Sequence, residues 1–230
     1  YLLTGVVEFR QLMKVGYPMN SYYGYTVVGI YQNDAAVAAD PIAVANGYKP
    51  GYLKYEDVNG DKVLDNNDRQ VLGDPYPSFT YGVNIGAQYK NFDFSLSTYG
   101  VSGVELMNVK DAQRMYASNM NFTKKFYDDH WSTAHPSTGT PSVEGLQRAA
   151  NGNLSSYFVQ NGNYFQIQNV QLGYTVKKMF NLFDARFYVS ADQPFTFFSY
   201  NGYTPQVSSG YDSTTYPLAA TYSFGLRFTY

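Results

Sequence analysis

Apolar and polar residues alternate along much of this chain. In the final stretch YPLAATYSFGLRFTY the even positions are Tyr216, Leu218, Ala220, Tyr222, Phe224, Leu226, Phe228 and Tyr230. The odd positions are Pro217, Ala219, Thr221, Ser223, Gly225, Arg227 and Thr229. An unbroken period of two predicts a strand with one apolar face. Strands in water-soluble domains average about 5–6 residues, whereas a tilted membrane-crossing strand needs about 9–11. The terminal alternation runs over 15 residues and suits a barrel wall better than a sandwich.

The same pattern recurs upstream. Phe79, Tyr81, Val83, Ile85, Ala87 and Tyr89 alternate with Thr80, Gly82, Asn84, Gly86 and Gln88. Lys90-Asn91 then reads as a two-residue turn into Phe92, Phe94 and Leu96, which alternate with Asp93, Ser95 and Ser97. Val170, Leu172, Tyr174 and Val176 form another apolar series, and Phe187, Val189 and Ala191 a further one. Two weaker candidates lie near residues 5–14 and 22–32. Connections near 15–21, 90–91 and 177–184 are short, and those over 33–77, 100–162 and 199–215 are long. Short turns on one rim and long loops on the other characterise outer-membrane barrels. Tyr89, Tyr174 and Tyr230, at strand ends, would stand in interfacial girdles. The count is about seven antiparallel strands in an all-β chain. Single-chain bacterial barrels use an even number of at least ~8, and an open edge is not tolerated in lipid. Further strands are therefore expected outside these residues.

Composition strengthens this reading. Of 230 residues only 15% are charged, with 25 Tyr, 16 Phe and one Trp, against about 25% charged in an ordinary soluble domain. Mean hydropathy is nevertheless −0.36, because the apolar residues are interleaved. No apolar run approaches the ~18 residues of a membrane helix. A net charge of −2 argues against a nucleic-acid partner, which would need a basic face. The absence of Cys excludes a disulfide scaffold and thiol catalysis. A soluble β-sandwich binding module is the competing fold. Charge depletion, loop asymmetry and the long last strand weigh against it.

One segment carries candidate chemistry. Counted from Asp57, the run Asp57, Asn59, Asp61, Asp65 and Asp68 places side-chain oxygens at positions 1, 3, 5, 9 and 12, with the Val63 carbonyl at 7. That is the spacing of a calcium (Ca²⁺) loop. Lys62 replaces the usual Gly at position 6, and Asp68 replaces the usual Glu at 12. The competing reading is an Asx-rich turn whose side chains bond the backbone. His130 and His135, beside Asp128 and Asp129, lack a third convergent zinc ligand and read as a solvated loop around Trp131. Tyr116, Tyr127, Trp131 and Tyr157 cluster in one long connection, and Tyr200, Tyr203, Tyr211 and Tyr216 in another. Loop packing, partner contact and substrate stacking are weighed for them in that order. No Ser-His-Asp order, carboxylate pair or phosphate loop stands out, so no enzyme is expected.

Five segments, in order, resemble the SusC/RagA family of TonB-dependent outer-membrane transporters. They are VGYPMNSYYGYTVVGIYQND, PGYLKYEDVNGDKVLDNNDRQVLGDPYPSFTYGVN, NVQLGYTV, FFSYNGYTPQV and the terminal YPLAATYSFGLRFTY. The loop Tyr203-Thr204-Pro205-Gln206 lacks the acidic residues usual there. The resemblance implies that residues 1–230 are the C-terminal part of a barrel of about 22 strands with a plugged lumen. The plug and a TonB-contacting segment would precede it. It further implies a SusD-like surface lipoprotein as partner, a setting in outer-membrane lipid, and import of oligosaccharides or peptides. Tyr222, Phe224, Leu226, Phe228 and Tyr230 would serve as the C-terminal barrel-assembly signal. The alternative function is a SusC-like barrel kept as a scaffold subunit of a larger outer-membrane complex.

Overall fold

The computed structural model describes residues 2–4, 11–110, 121–152, 154–180, 182–213 and 215–230. They divide into two units. A loop unit comprises Tyr1–Tyr76, Glu105–Gln160 and Val207–Thr214, and a sheet unit comprises Pro77–Val104, Asn161–Gln206 and Thr215–Tyr230.

In chain order the loop unit first contributes β1 (Leu2–Thr4), β2 (Gln11–Met13), β3 (Ser21–Tyr25) and β4 (Val27–Ile30). Helices α1 (Asp34–Ala38) and α2 (Pro41–Ala45) follow, then β5 (Leu53–Tyr55) and β6 (Arg69–Gly73). The sheet unit begins with β7 (Phe79–Tyr81), β8 (Asn84–Tyr89) and β9 (Phe92–Ser102). Next come β10 (Glu105–Asn108), α3 (Lys124–Asp129), α4 (Val143–Ala150) and β11 (Val159–Asn161). The chain continues with β12 (Tyr164–Met179), β13 (Phe183–Phe198), β14 (Tyr211–Asp212) and β15 (Thr221–Thr229).

The sheet unit is one antiparallel sheet of six strands in the order β15-β13-β12-β9-β7, with β8 also on β9. β7 and β8 pair with successive parts of β9 and so occupy one strand position. The break between them falls at Val83, whose N–H and carbonyl both bond the Thr98 hydroxyl. The turn at Lys90-Asn91 is as predicted: Tyr89 faces Phe92, and Lys90 takes φ 54°. The last strand is shorter than its sequence period, starting at Thr221 rather than Tyr216. Its pairing with β13 ends at Asp192. Beyond that, Gln193 turns to φ 52° and β13 bulges against β12. The turn after β12 is also tighter than expected, because the ladder runs on to Met179 and Phe183.

The two weaker strand candidates do not join this sheet. Residues 5–10 lie outside the described residues. β2 and β3 form a four-stranded sheet in the order β1-β2-β3-β6, and β4 pairs with β5. Their ambiguous pattern has a physical reason. β3 is buried on both faces, with Tyr22 and Tyr25 in the core, so strict alternation is lost. The short β10 pairs with β11 and, in parallel, with β14.

Local caps set the helices. Asn33 and Asp40 side chains accept from the Ala36 and Ile42 N–H groups, satisfying donors that have no intrahelical partner. Pro41, with its fixed φ, suits the first turn of α2. Thr123 and Ser142 cap α3 and α4 in the same way. Gly51, at φ 86°, lets α4 approach: a Cβ there would lie 2.7 Å from the Ser142 Cβ. The core of the loop unit gathers Tyr22, Tyr25, Tyr31, Tyr48 and Tyr55 with Leu53, Met107, Phe126, Leu146 and Phe158.

Candidate functional site

The strand registers sort the sheet unit into two chemically opposite faces. On one face, Ile85, Leu96, Val170, Ala191 and Tyr222 stand in one row across the sheet. Ala87, Phe94, Leu172, Val189 and Phe224 make the next row, and Tyr89, Phe92, Tyr174, Phe187 and Leu226 the one after. This face is exposed: Phe224 is 67% and Leu172 48% accessible. An exposed apolar surface on this scale marks a surface meant to be covered.

Aromatic rings concentrate at both ends of that face. At one end Tyr81 stacks on Phe165 at 6.2 Å, and Phe165 on Phe197 at 6.4 Å. Gly100 leaves room there, since the Tyr81 ring fills the space a Cβ would take. At the turn end Phe92 meets Tyr174 at 4.7 Å, and Phe183 meets Phe228 at 5.2 Å. Tyr89, Tyr174 and Tyr230, expected at strand ends, all lie at this turn end, and Tyr230 is almost fully exposed.

The opposite face is polar. Asn84, Ser97, Asn169, Asp192 and Thr221 share one row, and Asn169 Nδ2 donates to Asp192 Oδ1 at 2.7 Å. Gln88, Asp93, Gly173, Tyr188 and Gly225 share another. Arg186 forks onto Asp93 at 2.8 and 2.5 Å, reaching over β12 at Gly173. Gly173 permits this bridge because a Cβ would stand where the two charged groups meet. Farther along, Gln166 donates to Thr196 and accepts from Gln206. Sequence alternation identified both faces. It did not identify the Asp93–Arg186 pair, because register across three strands is not written in any one of them.

In the loop unit most of the aromatic side chains serve packing. Tyr22 is fully buried, donates to the Gly210 carbonyl at 2.7 Å and meets the Tyr211 ring edge-on. Burial, then the neighbouring Tyr211, pushes its phenol well above the ordinary range. Burial also pushes up Tyr31, which donates to Asp40 Oδ2 at 2.9 Å. Burial opposes charge on Asp40, but hydrogen bonds from Lys54, Tyr31 and the Ile42 N–H outweigh it and hold the carboxyl low. Asp212 is fully buried against Lys110 at 2.5 Å. Among the aromatic side chains singled out in the sequence, Tyr200 is buried, while Tyr157 packs partly buried against the core. Trp131 anchors its loop through Nε1 to Gln32 Oε1 at 3.2 Å. Tyr127, Tyr203 and Tyr216 are exposed, and Tyr116 lies outside the described residues.

The acidic segment folds into nested turns. Asp57 accepts from the Gly60 and Lys62 N–H groups at 2.7 and 2.9 Å. Asn59 Oδ1 accepts from the Asp61 N–H, and Asp61 Oδ1 from that of Val63. Asp65 caps a single 3-10 turn over Asn66–Asp68. Asp68 is fully buried, and its two oxygens take the Val58 and Asp65 N–H groups at 3.0 and 2.8 Å. Lys62 adopts φ 65°, the left-handed conformation that position 6 of a calcium loop requires. Asp68, however, faces backbone amides with both oxygens, where a calcium loop turns a bidentate carboxylate to the ion. Among the described residues no group of three or more His, Cys, Asp or Glu is arranged to hold a metal. His130 Nδ1 lies 2.7 Å from the Tyr127 carbonyl, its ring stacks on Phe126, and Asp128 and Asp129 pair with Lys124 and Lys125.

Comparison with known proteins gives a consistent pattern. No protein-family model matches the chain. The TonB-dependent receptor P3 of Formosa agariphila is 27% identical over 233 residues, covering 94% of this chain and 23% of its own length. The TonB-dependent receptor SusC of Bacteroides thetaiotaomicron is 29% identical over 233 residues, covering 94% of this chain and 20% of its own. The chain thus spans about a fifth to a quarter of these curated relatives. In fold it matches the RagAB peptide importer in its open-open state with TM-score 0.71 at 19% identity, over 96% of this chain and 23% of that one. The closed-closed state gives the same score over 99% of this chain. These relatives are receptors and importers rather than enzymes. In sequence the chain is similar to part of the SusC-type TonB-dependent receptors, and it shares the fold of the matching part of the RagAB importer.

Proposed function

We propose that this chain supplies part of the wall and the outer loops of a TonB-dependent importer in the outer membrane. The carrying observation is the two-faced sheet. Along β9, the Phe92 and Gly100 rows are separated by eight residues, about 26 Å of strand. With a tilt of ~40° this corresponds to about 20 Å of membrane depth, close to the ~25 Å apolar band of outer-membrane barrels flanked by aromatic girdles. The exposed apolar rows face lipid, and the Ser, Asn, Gln and Asp rows face a wet interior. Among the described residues both edges of the sheet are open, so other strands of a larger barrel would close them. Tyr222, Phe224, Leu226 and Phe228 on the lipid face of β15, with Tyr230 directly after it, act as the barrel-assembly signal.

The remaining parts follow from the relationship. A plug and a TonB-contacting segment lie N-terminal to these residues, a SusD-like lipoprotein covers the mouth, and the cargo is an oligosaccharide or peptide. The test is uptake by cells carrying the full-length receptor, with and without functional TonB. Loss of uptake on uncoupling is expected. Uptake that survives uncoupling overturns the reading. A stable complex that never moves cargo points instead to a scaffold subunit.

A further inference from the structure

The loop unit contains a cleft beside β2, β3 and β6. It has a volume of about 410 Å³ and is lined by Leu12, Lys14, Tyr17, Tyr23, Arg69 and Gln70, with Val71 alongside. Two features give it a chemistry. First, it holds two cations and no carboxylate among its lining residues, in a chain whose net charge is −2. Neither Lys14 nor Arg69 makes an ion pair with a described carboxylate. Gln70 Nε2 donates to Glu56 at 3.0 Å, so that neighbouring acid is held by an amide. Second, both cations are pre-positioned by rings. Arg69 lies over Tyr25 at 5.0 Å and Lys14 over Tyr17 at 5.1 Å. Arg69 Nε is buried and makes no hydrogen bond, an unmet donor of a kind that folded proteins seldom leave without a reason.

We propose that this cleft binds a carboxylate group of the cargo. The Arg69 guanidinium offers the planar fork that matches a carboxylate, and Lys14 adds a point charge beside it. Its position over the Tyr25 ring restrains the Arg69 head group, so less side-chain freedom is lost on binding. Tyr17, 47% exposed, and Tyr23 supply ring surface for the uncharged remainder of the ligand. A carboxylate reaches such a site either on an acidic peptide or on a uronic-acid oligosaccharide. The proposal rests on the importer reading for its cargo class, but its test is binding rather than uptake.

Purified full-length receptor is titrated with four probes: a glutamate pentapeptide, an amidated alanine pentapeptide, a galacturonate oligosaccharide and its neutral galactose counterpart. At least one acidic probe is expected to bind tenfold or more tightly than its neutral match, and less tightly as salt rises. Which one prefers the cleft identifies the source, and a preference in both pairs means that the carboxylate alone is read. Lys14→Gln with Arg69→Gln removes the preference, so that each acidic probe binds no more tightly than its neutral match. Arg69→Lys, which keeps charge but loses the fork, retains part of it. Lys14→Gln alone changes only an exposed side chain and is expected to weaken acidic binding several-fold even where the double variant folds poorly. Equal affinity for acidic and neutral probes overturns the proposal, as does a preference that survives both substitutions. TonB-independent uptake with intact charge selectivity would overturn the importer reading alone.

Discussion

The two units use the same side chains for opposite purposes. In the loop unit Tyr22, Tyr25, Tyr31, Tyr48 and Tyr55 are each 5% exposed or less; the last four pack ring against ring at 5.7–6.3 Å, and Tyr22 packs on Tyr211. In the sheet unit Tyr89 and Tyr222 are 71% and 72% exposed on an apolar face, with only the Lys90 ammonium over the Tyr89 ring at 5.3 Å among the described contacts of the two rings. Composition therefore says little about where a tyrosine goes. What decides is whether its neighbours alternate. A strict period of two commits every second side chain to one face of a sheet, whatever that face meets. Where the alternation breaks, as in SYYGY of β3, the chain buries both faces and needs hydroxyl partners, such as the Gly210 carbonyl for Tyr22.

The comparison breaks most visibly when a large core ring is removed. Phe158, 2% exposed in the loop unit, should cost about 3–5 kcal/mol as Phe158→Ala, since the site loses transfer energy and keeps a cavity. Thermal or denaturant unfolding of the full-length receptor would show this. The equivalent test of the sheet unit is a charge rather than a cavity. Phe224→Arg on the exposed face should cost about 2–4 kcal/mol if that face meets the middle of a bilayer. Ser223→Ala, one residue away on the polar face, should stay within about 0.5 kcal/mol. Folding into lipid, read by heat-modifiable gel mobility, measures both. Equal effects at 223 and 224 would remove the two-faced assignment.

How much of this was legible beforehand follows the same division. The strands of the sheet unit, its Lys90-Asn91 turn and both face assignments came from period-two alternation, because each strand carries that signal by itself. The start of β15 did not, since Tyr216–Ala220 keeps the pattern although the ladder with β13 begins only at Thr221, opposite Asp192 and next to the turn at Gln193. The loop unit was largely opaque. Its core joins β3 to β10, β14 and α4, segments more than a hundred residues apart in places, and no local period records such contacts. The cleft at Lys14 and Arg69 was invisible for the same reason. The acidic segment was recognisable as a turn or a cation loop, but Asp68 faces inward to two amides, a feature of the folded loop that residue spacing does not carry.

A smaller effect sharpens the tyrosine contrast. Tyr22→Phe keeps the ring and removes the hydroxyl, leaving the Gly210 carbonyl without this donor. A cost of about 1 kcal/mol is expected, the ordinary value of one such bond. The same phenol sets a pH limit. Burial and Tyr211 raise its pKa in the folded state, so its contribution is fully present below the unfolded value of ~10 and is lost as pH rises through the folded one. Tyr31 and Tyr211 are raised by burial too, so alkaline unfolding should begin above about pH 10 and be only partly relieved by Tyr22→Phe. On the acid side, Asp40 is lowered in the folded state. Its contribution is present above the ordinary carboxylate range of ~4 and is lost as pH falls through the folded value.

The smallest expected effect concerns the acidic segment. If Asp57, Asn59, Asp61, Asp65 and Asp68 act as nested turns, their oxygens already hold backbone amides and a cation adds little. Chelator or millimolar calcium should then leave the unfolding midpoint of the full-length receptor unchanged. Asp68→Asn should be the sensitive substitution, because its Oδ1 and Oδ2 cap two amides at once and an amide side chain can accept at only one of those positions. Asp61→Asn, exposed at the tip, keeps its accepting oxygen for the Val63 N–H and should be nearly silent. A calcium site predicts the reverse. The midpoint would rise with calcium, and Asp61→Asn would weaken that rise by removing a charged ligand at position 5 of the loop.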